Sequence, residues 1–240
     1  MRGIRGIVFD LGNTLVPFGR AEFARLRDSL AGFLASRLPG ADPLCLRRTI
    51  EQVETRLSVE RERTLTESDP GHWIQGILSD LGAPLDASIV RGALELLHRE
   101  FVNLIRVPPE VPPLLEGLAR RFSLALLSNY WMVEPIHEAL HRNDLARHFK
   151  AVLVSAELGV VKPHPALFRE VLARLGLSAG EVLFVGDNRA ADIAGAAALG
   201  MRTALTLEHA ALAEERDQRG ANGIIPDLLL PHLVDIDQYL

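Results

Sequence analysis

The chain of 240 residues contains little cysteine, little lysine and few aromatic residues. Cys45 is its single cysteine, which excludes an internal disulfide and favours a reducing compartment, the cytoplasm. We expect Cys45 to be a small buried hydrophobe rather than a reactive thiol. Lysine occurs only at Lys150 and Lys162, against 24 arginines. The rarity of lysine singles out Lys162, where a compact ammonium ion differs most from a guanidinium.

Long apolar runs and a large net charge are also absent. No run approaches the ~20 apolar residues of a membrane helix, so we expect no membrane partner. Residues 1–3 lead directly into the first apolar run, which predicts that no signal peptide is present. The net charge of −5, from 26 basic and 31 acidic residues, argues against a nucleic-acid partner. With 48% hydrophobic residues the chain holds ample material for a globular core.

The most informative stretch begins as the apolar run Ile4 to Val8 and continues as Phe9-Asp10-Leu11-Gly12-Asn13-Thr14-Leu15. An apolar run that ends in an aspartate predicts a buried strand with a carboxylate at its C-terminal edge. Open α/β sheets bind their ligands at that edge. Gly12 and Asn13 then turn the chain. For this segment alone, a tight β-hairpin capped by Asp10 is the alternative.

Three further apolar runs, at residues 123–127, 151–154 and 182–185, are each followed by polar residues. Those residues are Ser128, Asn129, Lys162, Asp187 and Asp192. Together with Asp10, the four strand ends present a carboxylate, a hydroxyl, an ammonium and a carboxylate pair. This set contains the nucleophile, the neutralising donors and the metal ligands that phosphoryl transfer requires.

The chain divides into a helical part and a part with strands. Residues 19 to about 105 show helical spacing of apolar residues and no convincing strand. After residue 107, strands alternate with crossover helices, which we predict at 111–121, 134–141, 165–175 and 190–199. A last strand near 223–225 and a helix from about 231 complete the pattern. Alternating units of this kind predict an α/β fold with a parallel sheet and right-handed crossovers.

In their order and spacing these motifs resemble the haloacid dehalogenase-like (HAD) hydrolase superfamily. Residues 10–15 are similar to its first motif, Ser128 to the second, Lys162 to the third, and Gly186-Asp187 with Asp192 to the fourth. The resemblance implies a Rossmann-like, doubly wound parallel sheet formed by residues 1–17 and 106–240. Residues 18–105 would form an inserted α-helical cap domain that closes over the active site and carries substrate selectivity.

The resemblance also implies a reaction. Asp10 is expected to be the nucleophile of a phosphatase, forming an aspartyl-phosphate, and Lys162 to neutralise a phosphoryl oxygen. Ser128 and the backbone amides near Leu11 and Asn129 would bind the phosphate. The expected partner is a small phosphorylated metabolite, and the oligomeric state is left open.

The expected cofactor is Mg²⁺. Its ligands would be Asp10, Asp187 and the carbonyl of Gly12, because Mg²⁺ prefers hard oxygen ligands. Asp192 is a further candidate at the metal site, expected to support the ion indirectly.

Gly12 departs from the family's phosphatases, which usually carry a second aspartate at this position. That aspartate is the general acid and base, and such catalysis contributes roughly 10²–10⁴ in rate. Three explanations stay open. A cap carboxylate or His72 replaces the acid, the leaving group needs no proton, or the chain is a non-catalytic binding or regulatory protein. If the leaving group needs no proton, aryl and acyl phosphates should be cleaved faster than alkyl phosphates.

Other activities and sites rank lower. Phosphonate cleavage needs a cap lysine, and residues 18–105 contain none. A 2-haloacid dehalogenase works without metal and typically has an aromatic residue at the Gly12 position, so the aspartates argue against it. The spacing of His137 and His141 is more typical of a hydrated helix face than of a zinc site. Three residues of the expected cap could contact the substrate, or they could serve only as core packing and surface charge: Arg61, Arg63 and Trp73.

Overall fold

Six parallel strands form one sheet in the computed structural model, which describes residues 1, 3–209 and 223–240. The strands are β1 (Gly6–Phe9), β2 (Ser123–Ser128), β3 (Phe149–Val154), β4 (Val182–Gly186), β5 (Arg202–Thr206) and β6 (Leu228–Leu230). They lie in the order β3-β2-β1-β4-β5-β6. The predicted Rossmann-like α/β fold is therefore confirmed. The hairpin alternative is wrong, because β1 pairs in parallel with β2 on one side and β4 on the other.

Helices cover both faces of the sheet, as a doubly wound fold requires. The α-helices described after residue 105 are α5 (Val111–Ala119), α6 (Glu134–Arg142), α7 (Pro165–Leu175) and α8 (Ala194–Ala198). Val8 and Phe184 belong to one hydrophobic cluster, which includes the buried residues of α7 and α8. Ile7 and Phe9 point to the opposite face and share a second cluster with α5 and α6. Successive strand residues alternate between the faces, and the three central strands β2, β1 and β4 are buried on both sides.

Between β1 and β2 lie four helices that we call the helical block: α1 (Arg20–Arg37), α2 (Pro43–Thr64), α3 (Pro70–Asp80) and α4 (Ala87–Leu104). Apart from one isolated bridge at Thr66, the structure shows no β-pairing in residues 19–105, as predicted. Three of these helices begin after an aspartate whose carboxylate accepts a hydrogen bond from a first-turn N–H: Asp42, Asp69 and Asp86. The block's boundary at residues 18–105 stays a prediction.

The block and the sheet are joined by apolar contacts. Buried residues of all four block helices belong to the same hydrophobic cluster as one face of the sheet. Helix α4 packs against α6, which follows β2 directly. Burial of this shared surface favours the arrangement in which the block lies against the sheet. Over the ranges that the structure describes, no helix is both long and apolar enough to cross a membrane.

Three details differ from the predictions. Cys45 is exposed rather than buried, because it lies in the first turn of α2, on the solvent side. The last strand is β6, later than residues 223–225, and Ile225 is 87% exposed since that apolar stretch finds no strand to pair with. β5 was not predicted, because Arg202 and two threonines interrupt its apolar pattern.

Candidate active site

The residues that carry the predicted chemistry meet at the carboxyl edge of the sheet. Asp10 follows β1, Ser128 ends β2 and Asp187 follows β4, and these three strands are neighbours with β1 in the centre. The backbone N–H of Asp10 donates to the carbonyl of Val185 (2.9 Å), which continues the β1–β4 pairing up to the carboxylate. These side chains, together with Lys162, line a cavity of about 180 Å³.

Lys162 is the buried centre of this site. Its Nζ atom lies 2.6 Å from Oδ1 of Asp10 and 2.6 Å from Oδ1 of Asp192, and it donates to the carbonyl of Leu127 at 3.0 Å. The side chain is only 2% exposed. All three ammonium protons therefore have acceptors, which is the condition under which a buried charge is stable.

The charges of this trio favour a nucleophilic Asp10. Burial raises the pKa of Asp10 to about 6, opposed by Lys162 and assisted by the charge of Asp192. Burial alone would lower the pKa of Lys162, but the carboxylates of Asp10 and Asp192 outweigh it and raise that pKa above its usual range. At neutral pH Asp10 is therefore mostly ionised beside a protonated lysine, so no general base is needed to generate an anionic oxygen.

Three carboxylates could hold a cation at this edge. Asp10, Asp187 and Asp192 each place one oxygen within 4.8 Å of the others. Such a sparse set of hard oxygen ligands suits Mg²⁺, which retains waters. Both oxygens of Asp192 already have partners, because Oδ1 contacts Lys162 and Oδ2 accepts from the N–H of Asn188 at 3.0 Å. Asp192 is thus placed to orient Lys162.

Two glycines of the site have different reasons to be there. A Cβ on Gly186 would lie 2.3 Å from Oδ2 of Asp192, so only glycine allows that carboxylate to approach. A Cβ on Gly12 would meet nothing closer than Phe18 Cβ at 3.8 Å, an ordinary contact. The left-handed residue of this turn is Asn13, with φ of 56°. The loop therefore has room for a side chain at position 12, and the missing aspartate is not a steric necessity.

The candidate phosphate-binding residues surround the same cavity. Ser128 is buried, and no described residue hydrogen-bonds its hydroxyl. Leu11 also lines the cavity. The Asn129 side chain has a role that the sequence did not reveal, since its Oδ1 accepts from the N–H of Lys162 (2.8 Å) and its Nδ2 donates to the carbonyl of Lys162 (3.3 Å). Asn129 thereby fastens the lysine segment to the end of β2.

Asn188 is a further residue that sequence reasoning missed. Its Oδ1 accepts from the N–H groups of Ala190 (2.9 Å) and Ala191 (2.8 Å), which caps a π-helical turn at Arg189–Ile193. The helix predicted over 190–199 therefore begins as this π-turn, and Asp192 lies within it. An asparagine directly before a helix is a capping signal, so its structural role was available in the sequence.

Comparison with known proteins identifies the protein family to which the chain belongs. Over residues 4–200 the sequence matches the family of haloacid dehalogenase-like hydrolases. The chain belongs to this family. The match covers the first motif, the helical block and the fourth motif, and it confirms the resemblance inferred from Asp10, Ser128, Lys162 and Asp187. The chain is thus a hydrolase of the HAD type.

Several relatives of this HAD hydrolase are similar over most of their length. The phosphoglycolate phosphatase of Salmonella paratyphi A is 30% identical over 255 aligned positions, covering 97% of this chain and 95% of the relative. The glyceraldehyde 3-phosphate phosphatase of Methanopyrus kandleri is 29% identical over 204, covering 83% and 82%. A solved 2-haloacid dehalogenase from Pseudomonas syringae superposes with a TM-score of 0.76 at 26% identity, covering 98% of this chain and 97% of that one.

A second cavity, of about 550 Å³, lies between the helical block and the sheet edge of this HAD hydrolase. Six residues line both cavities: Asn13, Phe18, Phe23, Asn129, Tyr130 and Asn188. Of the helical-block residues left undecided by the sequence, Arg61 and Trp73 line the second cavity. Arg63 instead forms an exposed pair with Glu60. His72, with its side chain 78% exposed, lines neither cavity.

Aromatic rings connect the block to the core beside this second cavity. Only 5% of the chain is aromatic, yet six rings form a continuous series with neighbouring centroids 4.2–5.5 Å apart. In order they are Phe23, Phe18, Phe101, Tyr130, Trp131 and Trp73. The series includes both tryptophans of the chain. Trp73 lies in α3 and Trp131 follows β2, so their edge-to-face contact at 4.8 Å joins the two regions.

Proposed function

We propose that the chain is a Mg²⁺-dependent phosphatase that hydrolyses a small phosphorylated metabolite through an aspartyl-phosphate on Asp10. The single observation that carries the proposal is the buried Asp10–Lys162–Asp192 trio with Asp187 beside it. An ionised carboxylate next to a permanent cation, at an edge that can also hold a metal, suits attack on a phosphate ester. The phosphatase relatives, similar along most of the chain, support the same reaction.

In the first step, an oxygen of Asp10 attacks the phosphorus and the bond from phosphorus to the leaving-group oxygen breaks. Lys162 lies against Asp10 and neutralises one phosphoryl oxygen as charge builds up. The Ser128 hydroxyl and the backbone amides near Leu11 and Asn129 donate to the others. In the second step, water attacks the phosphorus, inorganic phosphate leaves and the Asp10 carboxylate is restored.

The donor set of the site fits a magnesium ion. Asp10, Asp187 and the Gly12 carbonyl would hold it, and when bound it would reduce the repulsion between the carboxylate and the phosphate. Asp192 acts through Lys162, because one of its oxygens contacts the ammonium and the other is held by the N–H of Asn188. In this arrangement Asp10 and Asp187 would bind the magnesium ion, while Asp192 holds the Lys162 ammonium in place.

The leaving group departs without the usual acid. Gly12 has no side chain, and the exposed His72 lines neither cavity. The favoured substrates are therefore phosphates whose leaving group is stable as an anion, such as aryl or acyl phosphates. We propose that the organic group enters the cavity of about 550 Å³ under residues 18–105, which act as the cap of a core formed by residues 1–17 and 106–240.

Hydrolysis of p-nitrophenyl phosphate by the purified protein tests this proposal. The assay compares Mg²⁺ with chelator and runs beside Asp10→Asn. We expect metal-dependent release of nitrophenolate that disappears in the variant. Release at the same rate in both proteins would contradict the role of Asp10. A lack of release with aryl and acyl phosphates alike would favour the binding or regulatory protein instead.

A 2-haloacid dehalogenase is the second candidate. It is favoured by the likeness to the Pseudomonas syringae structure and by Gly12, because a halide leaves without a proton. Asp187 argues against it, since a third carboxylate near Asp10 repels a substrate carboxylate unless a cation is present. Halide release from 2-chloropropionate in the presence of chelator separates the two reactions. We expect none, and release under those conditions would replace the phosphatase proposal.

A further inference from the structure

One segment of the helical block reaches the active-site loops directly. Leu65 ends α2 in a left-handed conformation, with φ of 53°, and the chain then runs antiparallel to residues 159–161. The N–H of Glu67 donates to the carbonyl of Gly159 (2.9 Å), and the N–H of Val161 donates to the carbonyl of Leu65 (2.9 Å). The next residue after Val161 is Lys162. The block therefore holds the backbone immediately before the central lysine.

The side chain of Glu67 strengthens this contact. It is only 3% exposed, and the Ser155 hydroxyl donates to its Oε2. Oε1 accepts from the N–H of Ser68 (3.0 Å), and the guanidinium of Arg61 lies 3.8 Å away. A buried carboxylate is costly to desolvate unless its lone pairs are satisfied, so these partners define one position for Glu67.

Ser155 extends the contact to a second loop of the site. It is fully buried at the end of β3, and its Oγ accepts from the N–H of Tyr130 at 2.9 Å. Tyr130 comes two residues after Ser128 and directly after Asn129. Through Ser155, Glu67 therefore touches the chain that carries the candidate phosphate-binding groups. Through the strand-like pairing it also holds the chain that carries Lys162.

We propose that Glu67 is a positioning residue that fixes the Ser128–Tyr130 and Gly159–Lys162 segments relative to each other when the helical block is closed. Glu67 does not touch the reacting atoms. Its carboxylate makes the block a structural part of the site, because the α2–α3 segment adds contacts to both of the loops that Asn129 already joins. The kinetic part of this inference rests on the phosphatase activity proposed above, whereas the structural part does not.

The kinetic test compares Glu67→Ala and Glu67→Gln with Glu62→Ala. Glu62 is an exposed carboxylate of α2 that lines neither of the two cavities. We expect Glu67→Ala to lower kcat by about 10-fold or more, since a hydrogen bond to a charged group is lost at a buried position. Glu67→Gln can still accept from Ser155 and should retain most of kcat, and Glu62→Ala should match the wild type.

Tryptophan fluorescence gives a readout that does not depend on turnover. The chain has two tryptophans, and both report on the contact between block and core because Trp73 and Trp131 are packed against each other. Undocking the α2–α3 segment exposes them. We expect Glu67→Ala to show red-shifted emission and stronger acrylamide quenching than the wild type, Glu67→Gln or Glu62→Ala.

The outcomes are separable. Unchanged emission together with unchanged kcat in a folded Glu67→Ala variant overturns the proposal. A merely structural role predicts a lower melting temperature with unchanged kcat at temperatures where the variant is folded, and that result overturns it as well. If Glu67→Ala does not fold, Glu67→Asp, which shortens the side chain by one methylene, replaces it under the same criteria. If the wild type cleaves no phosphate ester, the phosphatase proposal fails while the emission data alone decide the inference about Glu67.

Discussion

The sheet edge and the helical block place their functional groups by different means. At the sheet edge, Asp10, Ser128 and Asp187 each lie directly after a strand, so a short local pattern locates them. In the block, Glu67 acts through Ser155, 88 positions further along the chain. The candidate catalytic groups are thus encoded locally at the strand ends. The contact between the block and the site depends instead on residues that are distant along the chain.

The largest expected effect tests the sheet edge. Lys162→Met removes the cation that two buried carboxylates share, so both lose their charged partner. We expect kcat/KM to fall by about 10³-fold or more and the free energy of unfolding to fall by roughly 3–5 kcal/mol. Steady-state assays and urea titrations measure the two effects.

Lys150→Met is the matched control for that change, because Lys150 is the other lysine of the chain and is exposed. Its ammonium donates to the carbonyl of Leu175, away from the site. Activity should stay at the wild-type level. Equal losses of activity in Lys162→Met and Lys150→Met would contradict a special role of the lysine at the sheet edge.

An intermediate effect is expected at position 12. Gly12→Asp introduces a candidate acid where the loop has room for a side chain. We expect the rate ratio of an aryl phosphate to an alkyl phosphate to fall by about 10-fold or more, since a proton donor helps the poorer leaving group most. Gly12→Ala, which fills the same space without an acid, should leave the ratio unchanged.

The ratio of the rates for the aryl and alkyl esters also tests whether the helical block takes part in the chemistry. If Gly12→Asp does not change it, another residue already supplies the proton, and three carboxylates of the block line the second cavity: Glu51, Glu54 and Glu67. In that case the block would take part in the chemistry.

The smallest effect concerns stability and pH. Because burial raises the pKa of Asp10 from 3.8 to about 6, the folded state keeps a proton between these values that the unfolded state has released. This contribution to stability is complete below about pH 4 and is lost as the pH rises through 6. In chelator, the free energy of unfolding of Asp10→Asn at pH 7 should therefore exceed that of the wild type by on the order of 1 kcal/mol. The gain should shrink towards pH 4, and a gain that grows on acidification would contradict the raised pKa.

Much of the fold and of the reacting groups could be predicted from the sequence, for physical reasons. Apolar runs followed by Asp10, Ser128 and Asp187 identify the carboxyl ends of parallel strands, and helical spacing of apolar residues identifies residues 19–105 as helical. β5 escaped detection because its strand is stabilised by pairing with β4 and β6 rather than by a run of large apolar residues. Cys45 was predicted to be buried on residue type alone, while the first turn of α2 decides its exposure.

The roles of some side chains could not be predicted, because they depend on contacts between distant segments. The sequence offers Asn129 as one more residue of a motif, and only the fold brings its amide against the backbone of Lys162. Likewise, Glu67 is one of many acidic residues in the block. Its contact requires Leu65 to adopt a left-handed conformation and residues 159–161 to lie alongside. Neither condition leaves a pattern in the local sequence.

Trapping a covalent intermediate is the decisive experiment for the role of Asp10. The protein is mixed with Mg²⁺ and an excess of an aryl phosphate, quenched in acid and digested, and the peptide that contains Asp10 is analysed by mass spectrometry. We expect a hydroxylamine-sensitive phosphoryl group on Asp10 that is absent from Asp10→Asn. Rapid turnover with no phosphoryl group on that peptide, or a group attached to another residue, would contradict it.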